Sequence, residues 1–162
     1  MIFSLDPGNE YSAYSLLDEE LKPIEFGKVT NYELLEIIAK YYLINIDTPL
    51  VIEMIGHYGT GMPAGKTVFD TCVWIGRFTQ LYYTLAGKEP IYIMRKDEKI
   101  NLCGNMKAKD GNIRQALIDR FGIVGTKKNK GWFYGVSKDV WAAIAVGVTY
   151  HDLYRKNQGE AK

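Results

Sequence analysis

The first 30 residues constrain the fold most strongly, because they consist of three strand-like runs, the first two of them apolar, separated by short polar turns. Residues 2–5, 12–18 and 22–29 are predicted to form three consecutive strands of an antiparallel meander. The first run delivers Asp6 to its end, and a Pro-Gly pair then turns the chain sharply. We expect an aspartate held rigidly at the rim of a sheet, where a metal ligand is useful. A simpler interpretation is that Asp6 only begins an Asp-Pro-Gly turn for backbone reasons.

The rest of the chain alternates between strand-like and helical patterns. We predict strands at 49–55 and 90–94, helices at 31–43, 68–85, 110–121 and 137–154, and a mobile loop at 123–135. The helix at 68–85 is apolar almost all round, so it should be buried on more than one side. One face would then cover the sheet and the other would meet a second subunit. A central helix of a monomer fits this pattern equally well.

Composition indicates one soluble domain spanning residues 1–162. The sequence is 47% hydrophobic and 24% charged, which is ordinary for a globular protein. Cys72 and Cys103 are far apart and form no CxxC pair, so neither a zinc site nor a disulfide framework is indicated. The sequence begins with no leader-like segment and contains no long apolar run. We therefore expect a cytoplasmic protein that does not associate with a membrane.

Positive charge is concentrated in one part of the chain. Residues 1–94 carry six Lys and Arg against twelve Asp and Glu, whereas residues 95–131 carry ten against four. This excess predicts a surface that contacts phosphates, although a solvated basic loop is the simpler alternative. The candidate DNA-binding lysines of this part are Lys107, Lys109, Lys127, Lys128 and Lys130.

A glycine-rich loop follows the strand that contains Glu53. An acid within such an apolar strand is costly unless it is paired, so we expect a cation to face Glu53. The loop does not have the spacing of a phosphate-binding P-loop, and no nucleotide cofactor is predicted. Its residues His57, Tyr58 and Lys66 are instead candidates for nucleic-acid contact, whereas the simpler interpretation of His57 is an ordinary surface or core histidine.

Three acids occupy comparable places, namely Asp6 in the first strand, Glu53 in a later strand and Asp139 in the first turn of the last helix. Carboxylates from separate elements that converge on one point repel each other unless a hard cation lies between them. We predict that these three acids bind Mg²⁺, for which Mn²⁺ can substitute. Two such ions can activate water and stabilise the leaving oxygen of a phosphodiester.

The order of these elements and acids resembles that of RNase H-like nucleases. More closely, the chain resembles the RuvC family of Holliday junction resolvases, and its phage and prophage members in particular. The resemblance covers nearly the whole chain, and its motifs are SLDPG, VIEMIG, FDTCVWIGRF, LCGNMKAKDGNIRQALIDRFG and SKDVWAAIAVGVTYHDL. It implies an RNase H-like fold, in which a mixed five-stranded sheet has three antiparallel and then two parallel strands, with helices on its faces.

The same resemblance implies the function. It predicts a homodimeric endodeoxyribonuclease in a bacterial or phage-infected cell that nicks branched DNA, chiefly Holliday junctions, and leaves 5′-phosphate ends. Asp6, Glu53 and Asp139 would be the catalytic residues, with two metal ions in each site. Its partners would be branched DNA and a second copy of the chain.

One position departs from the family pattern. RuvC proteins usually carry a fourth acid three residues after the third, and Ala142 stands there in this sequence. Asp152 cannot replace it, because it follows Asp139 by thirteen residues and would lie roughly 20 Å along the helix axis from Asp139, on the far side. The metal site therefore either works with three acids or recruits a fourth from elsewhere. Two alternatives to a junction resolvase also remain. These are a broader flap or branch endonuclease of the same fold, and a non-catalytic junction-binding protein.

Overall fold

The computed structural model describes residues 1–56 and 64–155, and it has one five-stranded mixed sheet. The strands are β1 (Ile2–Asp6), β2 (Tyr11–Leu17), β3 (Pro23–Thr30), β4 (Leu50–Met54) and β5 (Ile91–Met94). Their order across the sheet is β3-β2-β1-β4-β5. The first three strands pair antiparallel, whereas β4 pairs parallel with both β1 and β5. The predicted RNase H-like arrangement of strands is confirmed.

Helices cover both faces of this sheet. They are α1 (Asn31–Tyr42), α2 (Lys66–Ala86), α3 (Arg95–Cys103), α4 (Asp110–Phe121) and α5 (Val140–Tyr150), and a π-helical turn, His151–Arg155, continues α5. Among the described residues, no helix is long and apolar enough to cross a membrane. Helices α1 and α2 pack on one face of the sheet, and α4 and α5 pack on the other.

Alternate side chains of β1 belong to two separate hydrophobic cores, one on each face of the sheet. Ile2 packs toward α5, whereas Phe3 and Leu5 pack toward α1 and α2, as successive side chains of a strand point to opposite faces. Strand β4 repeats the pattern, with Val51 on the α5 side and Ile52 on the other. Both strands therefore carry apolar side chains on both faces, which is typical of central strands with both faces covered.

Helix α5 lies unusually close to the sheet because its contact face is made of small residues. A Cβ atom on Gly147 would lie 2.6 Å from Leu17 Cδ1 and 2.9 Å from Ser4 Oγ, both too close for real contacts. Ala143 and Ala145 on the same helix are fully buried. The small size of these alanine and glycine residues lets α5 pack closely against β1 and β2.

Helix ends agree only partly with the predictions. Thr30 caps α1 through a reciprocal capping box with Glu33, as one of the two predicted caps. Ser137 does not cap the last helix, which begins at Val140 with Asp139 as its N-cap, so Asp139 precedes the first turn instead of lying within it. Residues 95–103 form α3, a helix that the charged sequence did not indicate, because its apolar periodicity is weak.

The loop between α4 and α5 contains no helix or strand, as predicted, but it is not detached from the core. Phe133 is fully buried in it and packs against Trp141, with 4.8 Å between the ring centroids. A bridge between Gly125 and Lys130 closes the tip of the loop.

Candidate active site

Strand pairing brings two of the predicted acids side by side. In the parallel pair of β1 and β4, Leu5 lies opposite Ile52. Asp6 and Glu53 follow these residues, so both lie at the carboxyl edge of the sheet, and both point to the α5 face by the period of two. Ligands of open α/β sheets bind outside this edge.

The carboxyl groups of Asp6 and Glu53 interact directly through a hydrogen bond. Burial, and next the charge of Glu53, raise the pKa of Asp6 to about 8. Burial also raises the pKa of Glu53, and the Arg95 guanidinium counteracts this effect. A carboxyl pair of this kind retains a proton near neutral pH, because two adjacent buried carboxylates cannot both ionise without a compensating cation.

Arg95 is the cation that Glu53 was expected to face. Its Nη1 lies 3.5 Å from Glu53 Oε2, and it donates a 2.7 Å hydrogen bond to Glu98 Oε2. Nη2 donates a 2.5 Å hydrogen bond to Asp110 Oδ1. Glu98 is fully buried. Through these three carboxylates, one guanidinium connects β4, α3 and the first turn of α4. The predicted pairing of Glu53 is confirmed.

Asp139 lies in the same region but is paired elsewhere. Lys28 of β3 forms an ion pair with Asp139, and the two side chains are about half exposed. The charge of Asp139 also contributes to the raised pKa of Asp6, after burial and Glu53. The structure therefore places Asp139 beside the carboxyl pair without joining it to the pair.

A cavity of about 450 Å³ opens over these groups. Its walls contain four acids, Asp6, Glu53, Asp110 and Asp139, together with Arg95 and Lys138. Ala142 also lines it, so the position where the family pattern has a fourth acid does face the cavity. Asp152 is held at a different place by hydrogen bonds from Arg120 and Asn101.

The donor chemistry of this cavity fits a hard divalent cation, although its geometry is incomplete. Carboxylate oxygens are the ligands that Mg²⁺ and Mn²⁺ prefer, and the buried Glu53 Oε2 accepts no hydrogen bond within the part of the chain described. Across residues 1–56 and 64–155, no three His, Cys, Asp or Glu side chains are grouped closely enough to hold a metal ion. Asp6 and Glu53 could hold it, and Asp139 could join them only if its ion pair with Lys28 opened.

The candidate DNA-binding residues are spread over several surfaces. His57 and Tyr58 lie outside the described residues. Lys66 is the first residue of α2, where it pairs with Asp70. Lys107 and Lys109 are exposed between α3 and α4. The other three, all exposed in the loop after α4, are Lys127, Lys128 and Lys130.

Sequence reasoning missed the charged groups that hold the acids in place. The sequence pattern places Arg95 and Glu98 in a basic stretch and Asp110 at a helix start, and it indicates no role for Lys28. A signal was available for Arg95, because it directly follows a strand parallel to β4 and so must lie at the carboxyl edge. Nothing comparable identifies Lys28, since its contact with Asp139 joins residues far apart in the chain.

Comparison with solved structures supports this architecture. Thermus thermophilus RuvC superimposes with a TM-score of 0.67 over 96% of each chain, at 13% sequence identity. RuvC of T. thermophilus in complex with a Holliday junction substrate gives a TM-score of 0.66 at 15% identity, covering 97% of this chain and 95% of that one. The chain adopts a RuvC-like fold. No protein-family model and no curated protein sequence matches it.

We expect Arg95→Met to destabilise the protein strongly. The substitution leaves the buried Glu98 and its neighbour Glu53 without their cation, and breaking a buried ion pair costs about 3–5 kcal/mol. Urea unfolding would measure the loss, with Lys40→Met, at an exposed position of α1, as the control. Adding Glu98→Gln to Arg95→Met should recover part of the stability. Equal stability of Arg95→Met and the parent would contradict the role of this guanidinium.

We expect Asp6→Asn to stabilise the metal-free protein at alkaline pH. The pKa of Asp6 is raised in the folded protein, so the folded state holds its proton more tightly than the unfolded state. Stability is therefore lost as pH rises from about 4 to about 8, at up to ~1.4 kcal/mol for each unit of pKa difference. Asparagine cannot ionise, so Asp6→Asn should exceed the parent in melting temperature at pH 8.5 and match it near pH 4.

Thermal unfolding in EDTA measures this difference. Asp47→Asn, in the exposed loop before β4, is the control and should follow the parent at both pH values. A parent melting temperature that rises between pH 5 and pH 8.5, with no advantage for Asp6→Asn, would contradict the expectation.

Proposed function

We propose that this protein is a metal-dependent endonuclease that nicks branched DNA, chiefly Holliday junctions, and leaves 5′-phosphate ends. The observation that carries the proposal is the buried Asp6–Glu53 carboxyl pair at the carboxyl edge of a RuvC-like sheet. The similar T. thermophilus RuvC is described in complex with a Holliday junction substrate. The sequence motifs that resemble phage and prophage members support the same class.

Asp6 and Glu53 would hold the cation, and Asp139 would join them if its ion pair with Lys28 opened. A divalent cation bound there supplies Lewis acidity at the scissile phosphate and lowers the pKa of water. Asp6 must lose its proton for the cation to bind, so binding releases a proton and strengthens with pH. Water adds to phosphorus while the bond to the 3′ oxygen breaks, which gives a 3′-hydroxyl and a 5′-phosphate.

Charge distribution supports a nucleic acid as the substrate. The lysines in the two segments that flank α4 are exposed cations, namely Lys107, Lys109, Lys127, Lys128 and Lys130. Phosphate contacts of this type position a duplex without reading its sequence. The acidic cavity alone would repel DNA, and these lysines offset that repulsion.

A homodimer is part of the proposal, and the exposed face of α2 supports it. Ile75, Phe78 and Tyr82 bury one side of this helix. On the other side, Phe69 is 61% exposed and Val73 is 62% exposed. Cys72, Gly76 and Tyr83 extend this exposed stripe at helical spacing. Two copies related by a twofold axis would present two sites to opposed strands.

The non-catalytic junction-binding alternative also has an observation in its favour. Ala142 supplies no ligand, and Asp139 is neutralised by Lys28 in the free protein. A protein with this site could bind branched DNA and leave it intact. Binding without cleavage in any divalent metal would favour this alternative.

We expect the purified protein to cleave four-way junctions with Mg²⁺ or Mn²⁺. Asp6→Asn and Glu53→Gln should each reduce cleavage more than about 100-fold, since losing even the outer partners of metal ligands costs 10–100-fold. Gel assays comparing junction, flap, replication fork and plain duplex would measure activity and separate a junction resolvase from a broader branch nuclease. Calorimetric titration with Mn²⁺ gives a second readout, in which Asp6→Asn should lose binding. Intact junctions under all these conditions would exclude the endonuclease.

We expect the parent to be a dimer and Val73→Glu to be a monomer. A charge in the middle of the exposed α2 stripe would have to be buried without a partner at the interface. Analytical ultracentrifugation measures the mass in solution. Ile44→Glu is the matched control, because Ile44 is 84% exposed in the loop after α1 and lies outside the stripe. A monomeric parent at all concentrations would show that α2 is not a dimer interface.

A further inference from the structure

A second cavity, of about 390 Å³, adjoins the acidic one. The two cavities share Asp110, Lys138 and Trp141 in their walls. Gly111 and Arg114 of α4 and Ser137 of the loop before α5 complete its polar lining. A DNA strand that crosses the acidic cavity would therefore reach this second cavity next.

The second cavity differs from the first in its charge. Arg114 and Lys138 line it and, within the described ranges, neither forms an ion pair with a carboxylate. Arg95 in the wall of the first cavity is engaged by Glu53, Glu98 and Asp110. Among the described residues that line this second cavity, Asp110 is the only acid, and it accepts a hydrogen bond from Arg95 that offsets part of its charge.

Trp141 holds the Arg114 guanidinium in position. The guanidinium carbon lies 5.1 Å from the centroid of the Trp141 ring, which is within cation–π distance. Trp141 itself is only 7% exposed and packs against the buried Phe133. An arginine that stacks on a fixed ring keeps its planar fork of donors available, and this fork matches the oxygens of a phosphate.

Lys138 adopts a backbone conformation that lysine rarely takes. Its φ of +46° lies in the left-handed region, which costs roughly 1–2 kcal/mol for a residue other than glycine. This conformation directly precedes Asp139, the N-cap of α5, and places Lys138 in the walls of both cavities. Strained conformations of this kind concentrate at ligand-binding sites.

We propose that the second cavity is a phosphate subsite, in which Arg114 and Lys138 bind the backbone phosphate next to the scissile one. The proposal rests on the nucleic-acid substrate of the proposed function and deepens it. Arg114 would donate two hydrogen bonds to the phosphate, and Lys138 would add charge between this phosphate and the scissile one. The subsite would align the strand over Asp6 and Glu53 without contacting a base.

The test couples a protein change to a change at one phosphate. Fluorescent four-way junctions carry a single neutral methylphosphonate, moved stepwise along the strand, and binding is measured in EDTA so that no cleavage interferes. With the parent, we expect one position at which neutralisation weakens binding about tenfold, the strength of one charge-assisted contact. With Arg114→Gln, the unmodified junction should bind about tenfold more weakly, and the effect of that position should disappear.

Two further variants control for folding and for general charge. Arg114→Lys keeps the charge and should retain both the affinity and the position effect in part. Lys40→Gln should behave as the parent, because Lys40 is an exposed residue of α1, on the opposite face of the sheet from α4. The salt dependence of binding should fall by about one phosphate contact in Arg114→Gln and not in Lys40→Gln.

The outcomes separate the subsite from the nuclease. A parent that binds junctions and shows the coupling, but never cleaves, supports the subsite and overturns the nuclease. A parent that cleaves, while every methylphosphonate affects parent and Arg114→Gln equally, overturns the subsite alone. A parent that binds no junction overturns both.

Discussion

The contact of the Arg95 guanidinium with three carboxylates is the interaction on which the acidic end of the molecule depends. Glu53 lies in a central strand, Glu98 is fully buried in α3, and Asp110 opens α4. Without this cation, Glu53 and the buried Glu98 would repel each other in a region from which water is largely excluded, whereas Asp110 is largely exposed. With it, two helices are fastened to the edge of the sheet where the candidate site lies. Arg95, which stabilises the fold in this way, also lines the acidic cavity.

In the free protein, a shared proton and an ion pair with a lysine offset the charges of the acids. A catalytic metal ion would have to replace this proton and this lysine. Asp6 and Glu53 share a hydrogen bond that needs a proton, and Asp139 is paired with Lys28. These arrangements are compatible with the proposed cation site if proton and lysine leave when a cation binds. They are equally the features of a protein that binds DNA without cutting it. The raised pKa of Asp6 links the choice between these states to pH.

Two adjoining cavities of opposite character fit a single polyanionic strand. The acidic cavity contains the groups suited to a cation at the scissile phosphate, and the neighbouring cavity offers Arg114 and Lys138 without acidic partners. Every phosphate of a DNA backbone carries a negative charge. Binding of this backbone to an acidic site therefore requires basic groups immediately beside the site. Trp141 forms part of both walls, and its packing against Phe133 ties this arrangement to the loop before α5.

Sequence alone determined the order of the strands and of most helices along the chain. It also determined that Asp6 lies at a strand end and that Glu53 needs a cation. These features depend on local periodicity and on the cost of burying one charge, which are visible in neighbouring residues. Only the tertiary structure decided which cation Glu53 meets, that Lys28 takes Asp139, and that Arg114 stacks on Trp141. Such contacts join residues distant in the chain, and electrostatic attraction acts through space, so no local pattern specifies them.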